Sequence, residues 1–180
     1  MQEIVKRSEA IQRGSVDPKE DNMLKISSDG KKAALDLRLI DSTLAETKNS
    51  KARAVSEQIY KNWLEGKEQK STQIVFCDLS TPNADRFNIY DEIKKILIEM
   101  GIPENEIDYI HNSKTDIQKT RTFQKVRDGE IRVFLGSTSK MGAGTNIQDK
   151  FKVLHHIDAP WRPSDIEQRE RKNIKARQYE

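Results

Sequence analysis

Cysteine is nearly absent. The 180-residue chain has one, Cys77, so no disulfide can form within it, and its place inside an apolar run marks it as a core residue. A chain without a disulfide framework suits a reducing compartment, and a cytoplasmic location is expected. Long apolar runs are missing as well, which excludes a membrane-spanning helix, and residues 1–7 carry too little apolar length for a signal peptide. His111, His155 and His156 have no Cys, Asp or Glu at a recognisable metal-binding spacing, so they read as structural and no metal site is expected. Charge of one sign is not in large excess either: the formal net charge is +3. That is no polycation, yet it is not the acidic balance of proteins that avoid nucleic acid.

What is present is charge in quantity, 34% of residues against 34% apolar, which calls for long solvated helical faces. It is unevenly placed. Between Lys114 and Lys140 there are seven Lys or Arg against three Asp or Glu, a pattern that a solvated helix face and a phosphate-facing edge explain equally well.

Residues 1–70 have few β-branched runs and read as helices joined by polar turns. In the first helix Ile4, Ser8 and Ile11 share a face, and Gly14 ends it before Asp17-Pro18. After Ser27-Ser28-Asp29-Gly30, a second helix over residues 31–44 would place Ala33, Leu37, Ile40 and Leu44 on one side. Ser50 can cap a third helix over residues 51–64, with Ala52, Val55, Ile59 and Trp63 as its apolar stripe and Gly66 as its stop. Trp63 needs a groove to fill and is assigned no ligand.

The composition changes at Ser71. Residues 73–78 form a continuous apolar run of the kind found in a strand buried on both faces of a parallel sheet. Ile89, Ile93, Ile96, Leu97 and Met100 then mark a helix face, closed by Gly101-Ile102-Pro103. Residues 107–111 are the next strand, Thr115 caps a helix with Ile117, Phe123 and Val126 inward, and residues 131–135 and 152–157 supply two more strands. Strand and helix alternate, as in an α/β fold with helices on both faces of a mainly parallel sheet. Ligands of such sheets gather at the carboxyl ends of the strands. Ser80-Thr81, His111-Asn112, the loop around Gly142 and Asp158 all follow strand ends and should converge on one edge. Asp78 and Asp158 also end strands, as capping aspartates often do.

The stretch from Phe134 to Gln148 holds the most local chemistry. It leaves a strand, passes through Ser137-Thr138-Ser139-Lys140, and sets Gly142 and Gly144 on either side of Ala143. Glycines so close together let a backbone approach another molecule, Lys140 adds a point charge, and Thr145 and Asn146 can cap a following turn. A phosphate cradle and a plain strand-to-helix turn are both open readings. Beyond the last strand, Pro160-Trp161-Arg162-Pro163 is a stiff link, and Ser164 with Glu167 makes a capping box for a basic final helix.

In order along the chain, Gln73-Ile74-Val75-Phe76-Cys77-Asp78-Leu79-Ser80, Gly136-Ser137-Thr138-Ser139-Lys140-Met141-Gly142-Ala143-Gly144-Thr145-Asn146-Ile147-Gln148 and Trp161-Arg162-Pro163-Ser164-Asp165-Ile166-Glu167-Gln168-Arg169 resemble motif IV, motif V and the approach to motif VI of superfamily 2 helicases. The chain resembles their C-terminal RecA-like lobe, that of Swi/Snf-type DNA translocases in particular, and most of all the helicase-like proteins of bacterial phages and mobile elements. The resemblance implies a RecA-like three-layer α/β lobe over residues 71–180, truncated or altered at its C-terminal end, preceded by an α-helical extension or linker over residues 1–70. It also implies that Ser80, Thr81, Lys140, Gly142 and Thr145 contact a DNA backbone, duplex or single-stranded. Gly144, Asn146, Gln168 and Arg169 would border ATP and its Mg²⁺, held in the complete protein between this lobe and a first RecA-like lobe. No nucleotide is expected to bind tightly to this chain alone.

Two features depart from a complete motor. The chain has no G-x-x-x-x-G-K-[ST] sequence and no acidic magnesium motif, which the first lobe would carry. The family pattern Gln-Arg-x-Gly-Arg-x-x-Arg is met by Gln168 and Arg169, but Arg171 replaces its glycine, and Lys172 and Lys175 stand where finger arginines belong. Lysine cannot make the planar two-pronged contact of arginine. The expectation is a second motor lobe, inactive alone, with Gln168, Arg169 and Arg171 as candidate motif VI residues. A non-catalytic nucleic-acid or protein-binding module derived from such a lobe is the alternative. A self-contained enzyme for a phosphorylated small molecule is a third reading, with no convincing acid–base pair to support it.

Overall fold

The computed structural model describes residues 2–47, 49–141, 149–160, 162, 164, 166–167 and 170. Contacts divide the chain into two compact units, Met1–Thr47 and Lys48–Glu180.

In the first unit, helix α1 (Gln2–Gln12) packs on helix α2 (Met23–Leu35). Ile4, Ser8 and Ile11 are half-buried on one side of α1, and Gly14 leaves it at φ 69°, as expected. Arg7 forks onto Asp21 at 2.6 and 2.9 Å and onto Asp29 at 3.0 Å. The second helix is not where the sequence pattern placed it. Asn22 starts it by accepting from the amide of Lys25, so Ser27 to Gly30 lie inside the helix rather than in a turn. Asp36 ends it in an extended conformation and accepts from the amide of Arg38 at the head of a 3₁₀ turn, Leu37–Leu39. Leu37, Ile40 and Leu44 are therefore exposed rather than aligned on a helix face.

The second unit is an α/β fold built on a four-stranded, all-parallel sheet among the described residues. Its strands are β1 (Thr72–Phe76), β2 (Ile107–Tyr109), β3 (Val133–Gly136) and β4 (Phe151–His156), in the order β2-β3-β1-β4. β1 is buried along its whole length, as its unbroken apolar run requires. Helix α3 (Lys51–Glu65) is capped by Ser50, ends at Gly66 and packs on helix α4 (Ile89–Glu99). The side-chain amide Nε2 of Gln73 in β1 donates to the carbonyl of Ile59 in α3 at 2.9 Å, so α3 covers the face of the sheet to which Gln73 points. The alternate residues of β1, Ile74 and Phe76, form a core cluster with Val126 of helix α5 (Asp116–Asp128), Ile110, Ile131, Phe134 and Met141. α5 begins with the expected Thr115 cap, here a full capping box with Gln118, and ends at Gly129 in the left-handed region. Ile117 is an exception, 68% exposed instead of inward, because it sits in the first turn, away from the Phe123 and Val126 face. The result is the RecA-like three-layer architecture, with helices preceding it in the chain.

Candidate functional site

Because the sheet is parallel, the exits of β1, β3 and β4 lie at one edge, and two carboxylates tie them together. Asp158, just past β4, accepts through Oδ2 from the amides of Asp78 at 2.5 Å and Leu79 at 2.7 Å. Asp78, just past β1, spends both of its own oxygens on the start of helix α6 (Thr138–Met141): Oδ1 takes the amide of Thr138 at 2.6 Å and Oδ2 its hydroxyl at 2.7 Å. The chain of bonds runs from β4 through β1 to the turn after β3. Both aspartates are caps, but caps between elements distant in sequence.

The turn after β3 leads straight into α6, and the glycine-bearing residues 142–148 lie outside the described residues. α6 starts two residues beyond the strand, and its first amide is already held by Asp78. An anion cradle at that helix start is thus filled by a carboxylate of the chain itself. The far end of α6 is pinned by packing. Met141 is buried over Gly136, where an added Cβ would lie 1.8 Å from the Met141 sulfur and 3.0 Å from Ile110. Between these two fixed points Lys140 is exposed.

Of the other expected nucleic-acid residues, Thr81 is exposed while Ser80 is buried and accepts the amide of Ile89 at 2.9 Å, which starts α4. Below it, the Tyr90 hydroxyl donates to the carbonyl of Cys77 at 2.6 Å, and Tyr109 donates to that of Tyr90 at 2.9 Å. Burial of Cys77 pushes its thiol far above the usual range, in keeping with a core role. His111, following β2, stands edge-on to Tyr90 at 5.3 Å between ring centres. Its ring nitrogen Nδ1 is buried with no hydrogen-bond partner among the described residues, and burial, with a smaller effect from the charge of Lys140, lowers its pKa. Gly142, Gly144, Thr145, Asn146, Gln168, Arg169 and Arg171 lie outside the described residues.

Residues 50–174 match the family described as the helicase conserved C-terminal domain. The chain belongs to this helicase C-terminal family. The match begins at Ser50, the cap of α3, so the helicase domain takes in α3 together with the sheet and leaves the first compact unit outside it. No curated protein matches the chain. Membership makes residues 50–174 a helicase motor lobe, and it places the strand-end segments carrying Ser80, Thr81 and Lys140 within that lobe.

The helicase domain also holds a group that the sequence did not disclose, at the opposite, amino-terminal edge of the sheet. Arg132 is only 3% exposed; its guanidinium donates to the carbonyl of Trp63 at 2.5 Å and lies 4.9 Å over the Trp63 ring. Glu106 completes the group, accepting the indole N–H at 2.6 Å and facing Arg132 at 3.6 Å. Trp63 has the groove it was expected to need, and burial lowers the Arg132 pKa against the pull of Glu106. The sequence signal for this group is faint: a charged residue, Arg132, between the apolar residues Ile131 and Val133. Among the described residues there is no cluster of three or more His, Cys, Asp or Glu suited to a metal, and no helix long and apolar enough to cross a membrane.

Proposed function

We propose that this chain is the second motor lobe of an ATP-dependent DNA helicase or translocase of the superfamily 2, Swi/Snf type, akin to the helicase-like proteins of bacterial phages and mobile elements. What supports this reading is the family match laid on the carboxyl edge of the sheet, where a rigid turn leaves Lys140 exposed near the β1 exit that carries Thr81. Lys140 and Thr81 contact backbone phosphates, while Ser80, its hydroxyl oxygen engaged by Ile89, anchors the loop that presents Thr81. Gly142 and Thr145 continue the same contact. Phosphate contacts fix position and carry no sequence information, so base specificity is low.

Gly144, Asn146, Gln168 and Arg169 face the nucleotide, with Arg171 as a further candidate in motif VI. ATP with Mg²⁺, bound between this lobe and a first one, supplies the hydrolysis that drives movement. The residues ahead of Ser50 serve as a helical extension or linker, shorter than the 70 residues expected from the sequence because α3 falls within the matched domain. The chain alone should hydrolyse no ATP. Joined to a cognate first lobe, with arginine restored at Lys172 and Lys175, it should gain DNA-dependent hydrolysis. Turnover at an ordinary motor rate by the unmodified 180-residue chain would contradict this reading.

The lysines at 172 and 175 favour a second reading, a non-catalytic binding module descended from a motor. The same linked protein separates the two: a module would bind DNA in that fusion and still hydrolyse nothing after both arginines are restored.

A further inference from the structure

The functional reading leaves Asp78 without a task, yet its carboxylate is fully engaged. It holds the amide and hydroxyl of Thr138 from a different strand, and its own amide is held by Asp158. Asp78 is exposed at this edge, so a negative charge stands where a polyanion is expected to bind, which by charge alone is unfavourable. A carboxylate at such a place is best explained by what its geometry fixes. α6 is one turn long and has too few internal bonds to hold itself. Asp78 pins its start and Met141, tucked over Gly136, pins its end, so the direction of Lys140 is set from outside the turn.

We propose that Asp78 is a positioning residue for nucleic-acid binding. By clamping Thr138 it aims Lys140 at a backbone phosphate, and through Asp158 it ties that aim to the exit of β4. This inference rests on the functional reading above. The clamp requires two hydrogen bonds to Thr138, one of them accepted from its amide, and not charge. Asparagine keeps the geometry, with its carbonyl accepting the Thr138 amide and its NH₂ donating to the Thr138 hydroxyl.

The test is binding of a short DNA duplex to the 180-residue chain carrying Asp78→Ala, Asp78→Asn, Thr138→Val or Lys140→Ala, and the Asp78→Ala, Lys140→Ala pair, with folding followed by circular dichroism. The expected result is a loss of roughly fivefold for Asp78→Ala, comparable to Lys140→Ala. Asp78→Asn should bind as well as wild type or tighter, and the pair no worse than either single change. Thr138→Val, which keeps the amide contact, should fall between, and it decides the matter if Asp78→Ala does not fold. Asp78→Ala or Thr138→Val binding like wild type, Asp78→Asn falling as far as Asp78→Ala, or strictly additive losses in the pair would each overturn the proposal and leave the functional reading standing. A wild-type chain that does not bind the duplex would overturn both.

Discussion

His155 lies in β4 with its Nε2 2.9 Å from the side-chain oxygen of Gln73, in a buried site. Burial, helped by the charge of neighbouring His156, holds its pKa down to about 4 from an ordinary 6.5. The folded state therefore resists taking up a proton that the unfolded chain accepts. The stability this contributes is fully present above pH 6.5 and is lost as pH falls toward 4, to a limit of about 3 kcal/mol. Denaturant midpoints should drop between pH 7 and 4.5, and His155→Gln should flatten that drop; equal slopes in the two proteins would contradict the assignment. Arg132 makes a second prediction at this scale. Its guanidinium is buried on Trp63 and between carbonyls, so Arg132→Ala should cost about 3 kcal/mol in a chemical denaturation series. Lys67→Ala, at an exposed site near by, should change little. Neither residue was legible beforehand: His155 read only as structural, and Arg132 as one of a run of basic residues, because burial of a polar side chain depends on partners far away in sequence.

At the scale of elements, local signals served well where a cap decides the boundary. Ser50, Thr115, Gly66 and Gly129 bound their helices as the sequence suggested, and Thr115→Ala should cost about 1 kcal/mol. They failed at α2, where Ser27-Ser28-Asp29-Gly30 reads as a turn. There Asn22 and Asp36 set the ends, and Arg7 holds Asp29 from α1, while a glycine inside a helix costs only about 1 kcal/mol. The turn after β3 shows a different limit. The sequence drew attention to Gly142 and Gly144 for close approach, which lie outside the described residues, while at Gly136 the described structure needs the side chain to be missing, because Met141 fills that space. Gly136→Ala should destabilise the domain by about 1–3 kcal/mol through overpacking, measured by thermal unfolding. Adding Met141→Ala should recover part of the loss; no recovery would mean that the Met141 contact is not the cause.

For the whole molecule, the α/β class and the parallel sheet followed from the alternation of apolar runs and helical stripes, and the family followed from three motifs in order. The order β2-β3-β1-β4 did not, since strand neighbours are chosen by packing across the sheet. Nor did the aspartate bonds that join β4, β1 and β3, because each links residues 60 or more positions apart. The arrangement that results sets one exposed lysine on a braced turn at the edge where parallel sheets bind ligands. The central claim is that this edge holds a nucleic-acid backbone. Its most direct test is the affinity of a short DNA duplex at about 50 and 200 mM salt, for the wild type and for Lys140→Ala. The account predicts affinity that falls steeply with salt in the wild type, and a variant that binds more weakly with a log–log slope shallower by about one. Equal affinity and equal slope in the two proteins would contradict it, and would show that the turn carrying Lys140 does not touch the DNA.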